Sequence, residues 1–193
     1  MVEGAALEKQ CTGNCIEGSN PSLSATYMRL LIYGFEPFGK STSNISQEVI
    51  NSLPIRDDIA KTILPVNFKS SVITDVVRES NPDYILGLGQ YSSSEKIRIE
   101  RLARNEWASK SEPSRYIVKD GPKSATVTLE LKSNGNSLVS HNAGRYFCNY
   151  SMYILLTNPK TKGIPFAFLH IPKSFDLDSA ISFVETIIEE ILA

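Results

Sequence analysis

From Met28 onward, short apolar runs alternate with amphipathic stretches, and this alternation limits the fold more than any other feature. "MRLLIYGF" is a short apolar run closed by Gly34, the pattern of a buried strand. "EPFGKSTSN" is loop chemistry, and Ile45 to Leu53 reads as a helix with Ser43 or Asn44 as its cap. "AKTILPV" reads as a second strand. Phe68, Val72, Ile73, Val76 and Val77 then mark one helical face, stopped by Asn81-Pro82-Asp83. "YILGLG" is a third strand that ends in glycines. The order β-α-β-α-β requires a parallel sheet flanked by helices. Beyond it, "KIRIERLARN" alternates, and "RYIV", "ATVTLEL" and "NGNSLVSH" contain short β runs, with Gly121-Pro122 as a turn. Tyr150 to Leu156 reads as helix and "PFAFLHIP" as a last buried strand. Leu177 to Ile191 makes an amphipathic helix whose start carries Asp176 and Asp178.

At 193 residues, 41% of them hydrophobic, the chain has the size and composition of one globular domain. The net charge of -1 points to neither nucleic acid nor an anionic membrane, and no apolar run approaches the roughly 20 residues of a membrane span. The three cysteines do not form a disulfide framework, which favours a reducing, cytoplasmic setting. Residues 1–27 have neither helical nor strand period. Cys11 and Cys15 lack the further ligands of a metal site. Gly18-Ser19-Asn20-Pro21 is what GGTTCGAATCC encodes, the usual T-arm of a transfer RNA gene. The expectation is therefore a start at Met28 and one domain over 28–193, the alternative being an ordinary N-terminal tail.

In an open α/β sheet, ligands bind beyond the carboxyl ends of the strands. Gln90 follows the third strand, Cys148 lies where a turn enters a helix, and His170 ends the last strand. A helix N-terminus lowers a thiol's pKa and offers N–H groups to an oxyanion. A nucleophilic cysteine also needs a base, and the chain has two histidines, His141 and His170. A carboxylate must then orient the imidazole, and Glu100 is one candidate among 21 acidic residues. Each feature has a plainer reading. A cysteine beside an apolar helix can be core, and a histidine closing a strand can be a structural hydrogen bonder.

Several separated motifs nevertheless stand in one order: "GFEPFGK" at 34–40, "NIS" at 44–46, "LPV" at 64–66 and "LGQ" at 88–90. After them come "IRIERLARN" at 97–105, "SHNAGRYFCN" at 140–149 and "FLHIP" at 168–172. In these the chain resembles the type I pyroglutamyl peptidases from Met28 to its C-terminus. The resemblance implies a three-layer α/β/α domain with a twisted, mixed but largely parallel sheet, of the phosphorylase/hydrolase kind. It implies a cysteine peptidase that removes an N-terminal pyroglutamyl residue from peptides. The family's catalytic glutamate, cysteine and histidine fall on Glu100, Cys148 and His170. Phe35, Phe38 and Tyr146 would lie near the lactam ring, and Asn44 and Gln90 would support or contact the site. No metal or cofactor is implied. The partner is the peptide substrate, and the family assembles as a homotetramer.

The chain departs from the family pattern at defined points. Lys40 replaces the second glycine after "PFG", Ile45 replaces the proline of N-P-S, and "YSSSEK" replaces a glycine-glycine-arginine segment. Lys110 aligns with an arginine that helps the oxyanion, keeping the charge but losing the fork. Two further readings accordingly stand beside the first: a cysteine amidohydrolase with another small acyl substrate, and a non-enzymatic peptide-binding relative.

Overall fold

The computed structural model describes residues 28–92, 94–108 and 113–193. The expectations for residues 1–27 and for Lys110 lie outside the described residues. Strand β1 (Leu30–Phe35) leads to helix α1 (Ile45–Ser52), β2 (Ile59–Leu64), α2 (Ser70–Ser80) and β3 (Tyr84–Tyr91). Then come β4 (Ile97–Glu100), β5 (Leu102–Arg104), β6 (Ser124–Thr126), β7 (Ser137–Ser140), α3 (Phe147–Thr157), β8 (Phe166–Pro172) and α4 (Leu177–Leu192).

The main sheet has six strands in the order β2-β1-β3-β8-β4-β7. β2, β1, β3 and β8 run parallel, as the alternating pattern demands, whereas β4 runs antiparallel to β8 and carries β7 parallel to itself. Because side chains alternate across a strand, each strand feeds two cores. On one face Leu30, Ile32, Leu86, Leu88, Leu169 and Ile171 pack with Val49 and Ile50 of α1 and with Val184 and Ile188 of α4. On the other, Leu31, Tyr33, Phe35, Phe166 and Phe168 pack with Ile73 and Val77 of α2 and with Met152 and Tyr153 of α3. Burying each such side chain contributes about 1.5–3 kcal/mol.

Two β expectations fail in the middle of the chain. "RYIV" forms no strand among the described residues, only an isolated bridge from Arg115 to Trp107. The reason is local: the Asn105 side chain takes the Val118 N–H at 2.9 Å and donates to the Val118 carbonyl at 2.8 Å, replacing a strand partner. Of "ATVTLEL", only Ala125 and Thr126 are strand, the end of β6, which pairs with β5 in a small separate sheet. That sheet sits beside α3, tied to it by Asn149. The Asn149 side chain accepts from the Arg104 N–H at 2.8 Å and donates to the carbonyls of Arg104 and Glu106.

Candidate active site

The two glycines of "YILGLG" explain why this strand can stand under a site. Gly87 and Gly89 share the face that carries Phe168 and His170, their partners across β8. A Cβ on Gly89 would stand 2.9 Å from Cys148 Sγ and 3.0 Å from His170 Cδ2. The missing side chain thus leaves room for the start of α3, and the thiol and imidazole converge over one backbone position. Cys148 is the second residue of α3, whose cap, Tyr146, makes no side-chain capping bond. As at any helix start, the first-turn N–H groups lack intrahelical acceptors, and no capping side chain takes one of them here.

Glu100 reaches the imidazole through the antiparallel pairing. Arg98 lies opposite His170 and Glu100 opposite Phe168, so the carboxylate is the diagonal neighbour of the histidine on the same face. Its Oε1 lies 2.9 Å from His170 Nδ1, and both side chains are buried. Arg98, two residues earlier on that face, donates Nε–H to the same Oε1 at 3.0 Å. Arg98 also donates to the Ser140 hydroxyl, and to the Asn142 carbonyl at 2.8 Å, while its guanidinium lies 4.3 Å over the Tyr91 ring. Sequence reasoning passed over Arg98. Its signal was the alternation in "IRIE", which places it beside Glu100.

Burial raises the Glu100 pKa, but the hydrogen bond and charge of His170, the nearby Ser140 hydroxyl and Arg98 outweigh it, and the net direction is down. An ionised carboxylate only accepts, so Nδ1 carries the proton and Nε2 is left as the basic atom. The thiol contradicts one expectation. The helix start was expected to lower its pKa. Instead, burial and then the Glu100 charge push Cys148 up to about 12, against a smaller pull from its own backbone N–H. Part of the cysteine surface still opens to the cavity. Both causes act against the thiolate, so a base that takes the thiol proton matters here.

The cavity above these groups measures about 790 Å³. Phe35, Phe38, Asn44, Gln90, Tyr146, Cys148 and His170 all line it, and Glu100 stands behind the histidine. Phe38 and Tyr146 face each other half-exposed at the mouth, ring centres 5.8 Å apart. Phe35 is buried against the Phe147 ring. Asn44 is the helix cap. Its side chain accepts from the Ser46 N–H and donates to the Glu36 carbonyl, so it holds the β1–α1 loop. Gln90 Oε1 accepts from the Ile45 N–H at 3.2 Å, a bond that a proline at 45 could not make. His141 is exposed and away from the cavity lining.

A thiol and a carboxylate-held imidazole over the carboxyl ends of parallel strands are what an α/β thiol hydrolase presents. The sequence profile of the pyroglutamyl peptidase family matches residues 28–178, and the chain belongs to that family. It is 32% identical over 170 residues to the pyrrolidone-carboxylate peptidase of Thermosipho melanesiensis, covering 76% of this chain and 84% of that one. The enzyme of the same name from Thermococcus onnurineus is 32% identical over 172 residues, 75% of this chain and 84% of the relative. Among solved structures, the pyrrolidone carboxyl peptidase of Fervidobacterium islandicum superposes with a TM-score of 0.75 at 27% identity. That superposition covers 85% of this chain and 98% of the other. The protein is thus a hydrolase of a cysteine peptidase family, with the expected α/β fold.

Proposed function

We propose that this protein releases an N-terminal pyroglutamyl residue from peptides, with Cys148 as nucleophile, His170 as general base and acid, and Glu100 as the group that orients it. The observation that carries this reading is the buried His170–Glu100 pair at 2.9 Å, with its imidazole and the Cys148 thiol lining one cavity. Pyroglutamate is a flat, neutral lactam, and the aromatic wall of Phe35, Phe38, Tyr146 and Phe147 suits it better than charge would.

In this mechanism the thiol proton passes to His170 Nε2 as sulfur attacks the pyroglutamyl carbonyl and the C–S bond forms. The tetrahedral oxyanion is held by first-turn N–H groups of α3. His170 then gives its proton to the amine as the C–N bond breaks, and the shortened peptide leaves. Water, deprotonated by the same nitrogen, opens the thioester. The proton returns to sulfur and pyroglutamic acid is freed. Burial opposes the free thiolate, which favours proton transfer in step with attack. Hydrolysis of a pyroglutamyl aminocoumarin amide against its prolyl and alanyl analogues tests the reading. Release from the pyroglutamyl compound alone supports it, and equal or absent release refutes it. His141→Ala should retain most of that activity and His170→Ala almost none.

A further inference from the structure

Three cations stand on the cavity wall: Lys40 in the β1–α1 loop, Arg145 just before α3, and Lys173 just after β8. No aspartate or glutamate lines this cavity among the described residues, although the chain as a whole carries a net charge of -1. The cations are exposed, and their existing partners are few. Lys173 Nζ donates to the Ser41 hydroxyl at 3.2 Å, reaching across from the histidine strand to the loop that holds Lys40. Arg145 faces Glu106 at 3.4 Å, and Glu106 also accepts from the Ser114 hydroxyl. Glu36 lies on the adjoining open depression instead.

The placement matters because it lies on the leaving-group side. In the proposed reaction the lactam occupies the aromatic part of the cavity. The departing amine must face His170 to receive its proton. Lys173 follows His170 by three residues on the same strand end, with its backbone held by the Tyr91 carbonyl at 2.9 Å. A peptide leaving on the His170 side would pass Lys173 and, through the Lys173–Ser41 contact, the loop that carries Lys40.

We propose that Lys40 and Lys173, with Arg145, select substrates carrying a carboxylate close to the scissile bond, so that the preferred substrates are short acidic pyroglutamyl peptides. The carboxylate can be an aspartate or glutamate side chain or the free C-terminus of a dipeptide. This specificity rests on the pyroglutamyl reading, but the charge of the site can be tested apart from it.

The kinetic test compares kcat/KM for pyroglutamyl-glutamyl amide, pyroglutamyl-alanyl amide, pyroglutamyl-lysyl amide and free pyroglutamyl-alanine. The glutamyl amide should exceed the alanyl amide roughly five- to tenfold, and the lysyl amide should fall below both, since each solvent-exposed ion pair adds only a modest gain. Free pyroglutamyl-alanine outrunning its amide would identify the terminal carboxylate as a second source. The preference should shrink as salt rises and in Lys40→Gln/Lys173→Gln. Should that double variant not fold, Lys40→Gln alone, on an exposed loop, is expected to halve the preference. Glutamyl and lysyl amides cleaved within twofold of one another would overturn the proposal. The independent readout is alkylation of Cys148. Iodoacetate should gain on iodoacetamide relative to a free thiol in solution, and the gain should vanish at high salt. If no pyroglutamyl amide is cleaved, the function falls while this ratio still decides the charge of the site. A ratio equal to that of the free thiol would overturn the charge inference whatever the substrate.

Discussion

Cys148 combines a position that favours a thiolate with an environment that opposes it. Its own backbone N–H pulls the pKa down, whereas burial and the nearby Glu100 charge together raise it to about 12. Alkylation by iodoacetamide should therefore be slow near neutrality. It should climb by about tenfold per pH unit through pH 9 without levelling, because only the thiolate reacts. A rate that is already level at neutral pH would show a preformed thiolate–imidazolium pair instead. Glu100 touches His170 and does not line the cavity, so in the proposed mechanism it acts through the imidazole. Glu100→Gln keeps the shape but no longer favours the Nδ1–H tautomer, and turnover should fall on the order of a hundredfold with KM little changed. Steady-state kinetics with the pyroglutamyl aminocoumarin, checked for folding by circular dichroism, would measure it. At this scale the sequence pointed to Cys148, His170 and Glu100 together only through their motifs. Spacing could not pair Glu100 with His170, because 70 residues and a strand reversal separate them. Gln90 and Asn44 were expected to support or contact the site; both line the cavity, and their mapped bonds hold α1 and the loop before it.

Among the elements, the parallel strands were the most legible. β1 and β8 fall inside "MRLLIYGF" and "PFAFLHIP", and β3 covers "YILGLG" and runs two residues past it to Tyr91, since strands buried on both faces read as apolar runs. The middle was harder for a physical reason. Around Val118 the backbone is satisfied by the Asn105 side chain, a long-range contact that leaves no local period. The glycines of β3 were visible as strand punctuation, yet their purpose, clearing the sheet face for α3, is a tertiary fact. Gly89→Ala tests that purpose. Its methyl would press within 2.9 Å of both Cys148 Sγ and Phe168 Cζ, and the neighbours must shift. Destabilisation of about 1–3 kcal/mol is expected by denaturant titration. A loss of turnover greater than tenfold should accompany it, because thiol and imidazole would be driven apart.

For the whole molecule, the buried site sets how stability responds to pH. Glu100 has a folded pKa below its ordinary 4.5, so its contribution is fully present above that value and is lost as pH falls through the lowered one. Cys148 has a raised folded pKa, so its contribution is present below its ordinary 9.0 and is lost as pH rises toward about 12. Melting temperature should therefore drop on both sides, and Glu100→Gln should flatten the acid side. A wild-type acid limb that persists unchanged in Glu100→Gln would assign it to other carboxylates, such as Asp58 beside Arg56. No helix among the described residues is long and apolar enough to cross a membrane. The antiparallel register of β4 on β8 has a consequence for how chain length can vary here. Glu100 meets His170 only because it stands an even number of positions from Arg98, on the face opposite Ile97 and Ile99. One residue added inside Ile97–Glu100 would turn the carboxylate toward α1 and α4, and no choice of side chain at that position would bring it back. A change of chain length inside β4 thus reverses the carboxylate's face at every odd step and restores it at every even one, which makes parity, rather than length, the quantity that the His170–Glu100 pair constrains.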